Sequence, residues 1–133
     1  MSSVPGDAAD AGLSGRVLAA VFLGGATGTA LRLVIAEGAS GAIWGTLAVN
    51  LAGALLLGLV FEHLRMRRSD RGSLWALVGP GFAGALTTFS TLQLEVVSLL
   101  RDDQGTAAVL YLGASILLGI PLAALGRRLG RRA

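Results

Sequence analysis

Gly81-Phe82-Ala83-Gly84-Ala85-Leu86-Thr87-Thr88-Phe89-Ser90-Thr91 decides how this chain is read. The run sets glycines and hydroxyl side chains in the middle of a segment that is otherwise apolar enough to cross a bilayer. In hydrocarbon an unpaired backbone or hydroxyl group is costly, so such a run persists only where it packs against protein or lines a wet path. It reads as a pore lining or an ion site.

Working outward, four spans fill nearly the whole chain, each long enough for the roughly 20 helical residues that cross a bilayer. They run from about Val17 to Ala36, Ala42 to Leu64, Leu74 to Leu100 and Thr106 to Leu125. The third is too long and too interrupted for one regular helix and reads as two half-helices with a break at the glycine and threonine run. The expected fold is an all-α membrane protein of four transmembrane helices, the third broken. Residues 1–15 form a small, polar leader without the basic start of a signal peptide, expected to be disordered. Residues 16–126 form the membrane domain and 127–133 a basic tail. Short connections imply antiparallel neighbours.

Composition agrees. The chain is 53% hydrophobic and 14% charged, whereas a soluble domain carries about 25% charged residues. Without cysteine there are no disulfides and no thiolate metal sites. A net charge of +3 with few aromatics gives no case for nucleic-acid binding. Glycines and alanines recur four apart, at Gly24 and Gly28, Gly41 and Gly45, and Gly81 and Ala85, the spacing that lets membrane helices approach closely.

Arginine placement gives an orientation. Four spans put both termini and the loop between spans two and three on one side, with Arg16, Arg65, Arg67, Arg68, Arg71, Arg127, Arg128, Arg131 and Arg132. The other side holds Arg101 alone, so both termini are expected to be cytoplasmic.

Polar residues inside the spans are the candidate site. Asn50 sits near the centre of span two, where its amide can donate to an anion or brace two helices. Arg32, late in span one, either snorkels to the interface or faces a vestibule and concentrates anions. Glu62 and His63 read as interfacial charge, and Glu95 pairs with a neighbour or meets water. Tyr111 and Ser115 lie four apart on one face of span four. No nucleophile, base and orienting group come together, so no enzyme is expected.

Gly24-Gly25-Ala26-Thr27-Gly28-Thr29-Ala30-Leu31-Arg32, Gly45-Thr46-Leu47-Ala48-Val49-Asn50-Leu51-Ala52-Gly53, and Gly81 to Thr91 followed by Glu95 closely resemble the CrcB/Fluc fluoride channels in order and spacing. The resemblance spans nearly the whole chain. It implies a fluoride-selective channel in the cell membrane, exporting cytoplasmic fluoride down its electrochemical gradient. It further implies small subunits paired as antiparallel dimers, with two fluoride pathways and a structural sodium ion on the two-fold axis. On that resemblance Gly84 and Thr87 supply backbone carbonyls to sodium, once from each subunit. Asn50 and Phe89 are pore residues, Tyr111 and Ser115 begin a polar track, and Arg32 belongs to the vestibule. A path for fluoride needs dense donors to replace its tightly held water, and Thr88, Ser90 and Thr91 supply hydroxyls beside the Phe89 ring edge.

Two departures shape the expectation. Where the family carries a second phenylalanine this chain has Leu92, which offers no polarised ring edge and should impair one pathway of any dimer and both of a homodimer. The polar track is also shortened, with Gly119 in place of a further hydroxyl. Nine arginines against one favour a single insertion direction, which implies pairing with a related, oppositely oriented subunit. Two alternatives remain: a non-conducting partner subunit, and a small four-helix multidrug-type transporter. The latter needs an acidic residue deep in span one, and none lies between Arg16 and Glu37.

Overall fold

Among the described residues four helical stretches are both long and apolar enough to cross a bilayer: Gly15–Gly38, Ile43–Leu64, Ser73–Arg101 and Gly105–Gly130. A computed structural model of the chain describes residues 15–38, 43–66 and 72–132. The leader, Gly41 and the loop arginines Arg67, Arg68 and Arg71 lie outside the described residues. Helices α1 (Gly15–Gly38) and α2 (Ile43–Met66) are continuous. The third span is built from pieces, α3 over 73–86 and α4 (Phe89–Arg101), and α5 (Gly105–Gly130) closes the fold. No strand occurs among the described residues. The chain is a multi-pass membrane protein.

Two irregularities interrupt the third span. The first is wide winding: α3 starts as an α-turn at Ser73–Ala76, widens to π geometry over Leu77–Ala83, and returns to α at Gly84–Leu86. Pro80 lies inside the wide stretch. Proline has no N–H to give to the carbonyl four residues back and its ring crowds that carbonyl, and the extra residue per turn relieves both problems. The second irregularity is the break itself, where Thr87 and Thr88 are extended, with ψ of 152° and 117°. The break therefore falls on the threonine pair of the opening motif, while the π winding at Pro80 had no signal in the hydropathy of the span.

The helices associate as two intimate pairs, α1 along α3 and α2 along α5, with α4 resting on α5. Glycine makes both contacts possible. A Cβ on Gly24 would collide with the Leu77 carbonyl and one on Gly28 with the Phe82 carbonyl, which bears out the packing role of that pair. In the second pair Gly58 meets the Ala123 backbone, while Gly126 and Gly130 meet the Leu55 and Leu59 carbonyls. The last two residues lie at the helix's far end, since α5 continues well past Pro121, through Arg127 and Arg128, to Gly130. An edge-on ring contact of Phe61 with Trp75, centroids 5.7 Å apart, ties α2 to the start of α3.

A tight reversal brings α5 back beside α4. The Gln104 N–H reaches the Leu99 carbonyl at 2.8 Å and the Asp103 N–H reaches that of Leu100, the paired bonds of a helix stop. Such a stop requires a left-handed residue, and Asp103 supplies it with φ 59°. Large apolar side chains face outward along the spans, among them Phe22, Leu117 and Ile120, as suits a lipid-facing surface.

Candidate ion site at the break in the third span

The break is held open by side chains that capture backbone N–H groups. In a continuous helix the Thr88 N–H would go to the Gly84 carbonyl. Here it donates to Asn50 Oδ1 at 2.7 Å, while Asn50 Nδ2 donates back to the Thr88 carbonyl at 3.1 Å. The Asn50 amide thus presents Thr88 with the same donor and acceptor edge that a neighbouring strand would. One turn on, the Thr91 N–H would regularly go to the Thr87 carbonyl, but it donates to Thr88 Oγ1 at 3.2 Å, making Thr88 the N-cap of α4.

Two carbonyls lose their regular partners in consequence, those of Gly84 and Thr87. Gly84 keeps only a long contact, 3.4 Å, from the Thr87 hydroxyl, which also donates to the Ala83 carbonyl at 3.0 Å. The neighbouring Ala85 carbonyl has a partner from elsewhere: Arg32 Nε donates to it at 3.2 Å. Arg32 therefore turns inward to the end of α3 instead of snorkelling along the lipid face. Gly84 is exposed and Thr87 partly so, and both border an open groove of about 500 Å³ between α2 and α3, together with Gly53, Leu57, Trp75 and Pro80.

Donors cluster on the other side of the break. The Thr88 hydroxyl donates to Thr91 Oγ1 at 2.9 Å and lies 3.4 Å from Ser90 Oγ. Asn50, Thr87, Thr88 and Phe89 line a hollow of about 260 Å³. The Phe89 ring is 71% exposed, whereas Leu92 is only 6% exposed and turns into the chain's own bundle.

A second polar group lies deeper. Thr46 Oγ1 donates to Glu95 Oε1 at 2.6 Å and the Tyr111 hydroxyl donates to Glu95 Oε2, joining α2, α4 and α5 through one carboxyl group. Thr46 and Tyr111 are both buried. Ser115 donates to the carbonyl of Tyr111 at 2.9 Å, so both hydroxyls of the expected stripe are engaged within the chain. Sequence reasoning left Thr46 out of the site. The signal was there, because a carboxyl inside an apolar span demands donors and span two offers few.

Glu62, read as interfacial charge near the end of span two, has specific arginine partners. It is 1% exposed and lies 3.4 Å from both Arg127 Nε and Arg131 Nε, clasping the ends of α2 and α5. Among the described residues no group of three or more histidine, aspartate or glutamate side chains could hold a metal ion.

A four-span membrane bundle with a broken helix, freed carbonyls and a cluster of hydroxyl and amide donors at the break defines a class, proteins that handle small ions within the bilayer. Comparison narrows the class. Residues 19–127 match the model of the family described as CrcB-like protein, Camphor Resistance (CrcB). The chain is 41% identical over 115 residues to the fluoride-specific ion channel FluC of Xylella fastidiosa (strain 9a5c), covering 83% of this chain and 80% of that one. It is 42% identical over 103 residues to FluC of Hahella chejuensis, covering 74% and 81%, and 38% identical over 119 residues to FluC of Magnetococcus marinus, covering 86% and 97%. The chain belongs to the CrcB family.

Proposed function

We propose that this chain is a subunit of a fluoride-selective channel that lets fluoride leave the cytoplasm down its electrochemical gradient. The observation that carries the reading is the double capture at the break, Asn50 on the Thr88 N–H and Thr88 Oγ1 on the Thr91 N–H. It sorts the site into acceptors on one side and donors on the other.

The acceptors suit a cation. The Gly84 and Thr87 carbonyls are hard oxygen ligands without regular partners, they border an open groove, and Gly84 has no side chain to cover them. They fit sodium. When bound, the ion would supply fixed positive charge beside the Gly84 and Thr87 carbonyls. A partner subunit seated in the apolar groove beside Gly53 and Leu57 would bring the second pair of carbonyls.

The donors suit fluoride. Ser90 and Thr91 hydroxyls, the second amide hydrogen of Asn50 and the exposed edge of Phe89 can replace tightly held water. Arg32 fixes the end of α3 through Nε and keeps its positive charge within reach of the vestibule. Tyr111 and Ser115 extend the polar track from the Glu95 side. The termini are cytoplasmic, on the arginine-rich side, and the single insertion direction favours an oppositely oriented paralogous partner.

The test is fluoride efflux, followed by electrode, from liposomes holding the chain alone or with such a paralogue, chloride serving as control anion. Fluoride-selective efflux only from the pair supports the heterodimer. Efflux from the chain alone keeps the channel and overturns the obligate pairing. Silence in both preparations from folded protein favours a non-conducting subunit.

A further inference from the structure

Away from the break, the arginine-rich end of the α2–α5 pair carries a built arrangement of charge that ion conduction does not use. Glu62 is buried, and Arg127 in the last turn of α5 and Arg131 just past its end each direct Nε toward a different oxygen of its carboxylate at 3.4 Å. The arginine side chains themselves are about half exposed, 49% and 56%. With Nε turned to Glu62, the two Nη groups of each guanidinium make no hydrogen bond among the described residues.

A carboxylate that is taken out of water needs such partners, and the same contact fixes the direction of both guanidinium planes. Position matters as well. Glu62 lies one turn before the end of α2 and Arg131 just past the end of α5, the depth of lipid headgroups for helices that cross the hydrocarbon. Gly126 and Gly130 bring the α5 backbone against Leu55 and Leu59, so the fork stands on two helices locked together.

We infer that Glu62, Arg127 and Arg131 form a receptor for the phosphate of an anionic phospholipid, with Glu62 aiming the Nη edges of both arginines outward. Two arginines against one carboxylate leave net positive charge, and planar guanidinium edges match phosphate oxygens in paired hydrogen bonds. Basic pockets between membrane helices at the cytoplasmic face recognise anionic headgroups in this way. The occupant is a lipid of the surrounding leaflet, and the site anchors the subunit at a fixed depth.

The experiment is thermal unfolding of the full chain in detergent, titrated with phosphatidylglycerol, phosphatidylcholine or inorganic phosphate. Phosphatidylglycerol is expected to stabilise at roughly tenfold lower concentration than phosphatidylcholine. Substituting Arg127→Gln with Arg131→Gln removes that preference, while Arg128→Gln with Arg132→Gln, an equal loss of charge, leaves it. Glu62→Gln weakens the preference although it adds net positive charge. If the glutamine pair does not fold, Arg127→Lys with Arg131→Lys keeps the charge and still lowers the preference. Equal loss from both glutamine pairs, or tighter binding by Glu62→Gln, would mean diffuse attraction and overturn the proposal. Stabilisation by inorganic phosphate as strong as by phosphatidylglycerol would overturn the lipid assignment.

Discussion

The α2–α5 pair and the third span face one physical problem, backbone polar groups in hydrocarbon, and answer it in opposite ways. In α2 and α5 the peptide groups are satisfied within each helix except at Pro121, which has no N–H, and glycine serves contact: Gly58, Gly126 and Gly130 let backbone meet backbone. In the third span the helix is given up at Thr87 and Thr88, and side chains from other elements take over, Asn50 from α2 and Arg32 from α1. The first region needs only shape, so its contacts are apolar and close. The second needs matched polar partners, and whatever is left unmatched is available to an ion. Rigidity in one region lets the other be irregular, because Asn50 reaches Thr88 only if α2 is held in place.

Substitutions in the two regions should therefore fail differently. Gly126→Leu forces a side chain into the Leu55 carbonyl and should abolish folded protein, a loss above about 3 kcal/mol, seen as aggregation during size-exclusion in detergent. A folded variant with unchanged melting would remove shape as the basis of that pair. Arg32→Gln leaves the Ala85 carbonyl without its charged donor, and fluoride flux should fall about tenfold with helix content retained by circular dichroism. Thr46→Val takes one of two donors from Glu95 while Tyr111 keeps the other, so the unfolding free energy should drop by about 1 kcal/mol, read from denaturation in detergent. Smallest is Gly113→Ala, whose added methyl meets nothing within the chain and should stabilise by at most about 1 kcal/mol. A loss as large as that of Gly126→Leu there would show that an unpaired face of α5 is covered by a partner.

The sequence made the regular region and the existence of the break legible for one reason: both are local. Apolar length marks a spanning helix, and Thr87-Thr88 after Gly84 marks where a helix gives up its bonds. What it left hidden is long-range. Asn50 and Thr88 lie 38 positions apart and Glu62 and Arg127 65 apart, so Asn50 is legible as a brace and Glu62 as interfacial charge, each without its partner. The Gly126 and Gly130 spacing was visible but fell in residues assigned largely to a basic tail. Pro80 was visible too, yet hydropathy does not report winding. Phe89 and Leu92 were placed by resemblance alone, and their opposite exposure, 71% against 6%, is new information from the fold.

The most direct test of the account is fluoride efflux, by electrode, from liposomes holding the conducting assembly with Asn50→Ala in this chain, chloride as control. Removing the amide returns the Thr88 N–H to the helix, and fluoride flux should fall about 100-fold while the protein still folds and melts near the parent temperature. Flux within about twofold of the parent would contradict the claim that capture of Thr88 by Asn50 builds the ion path.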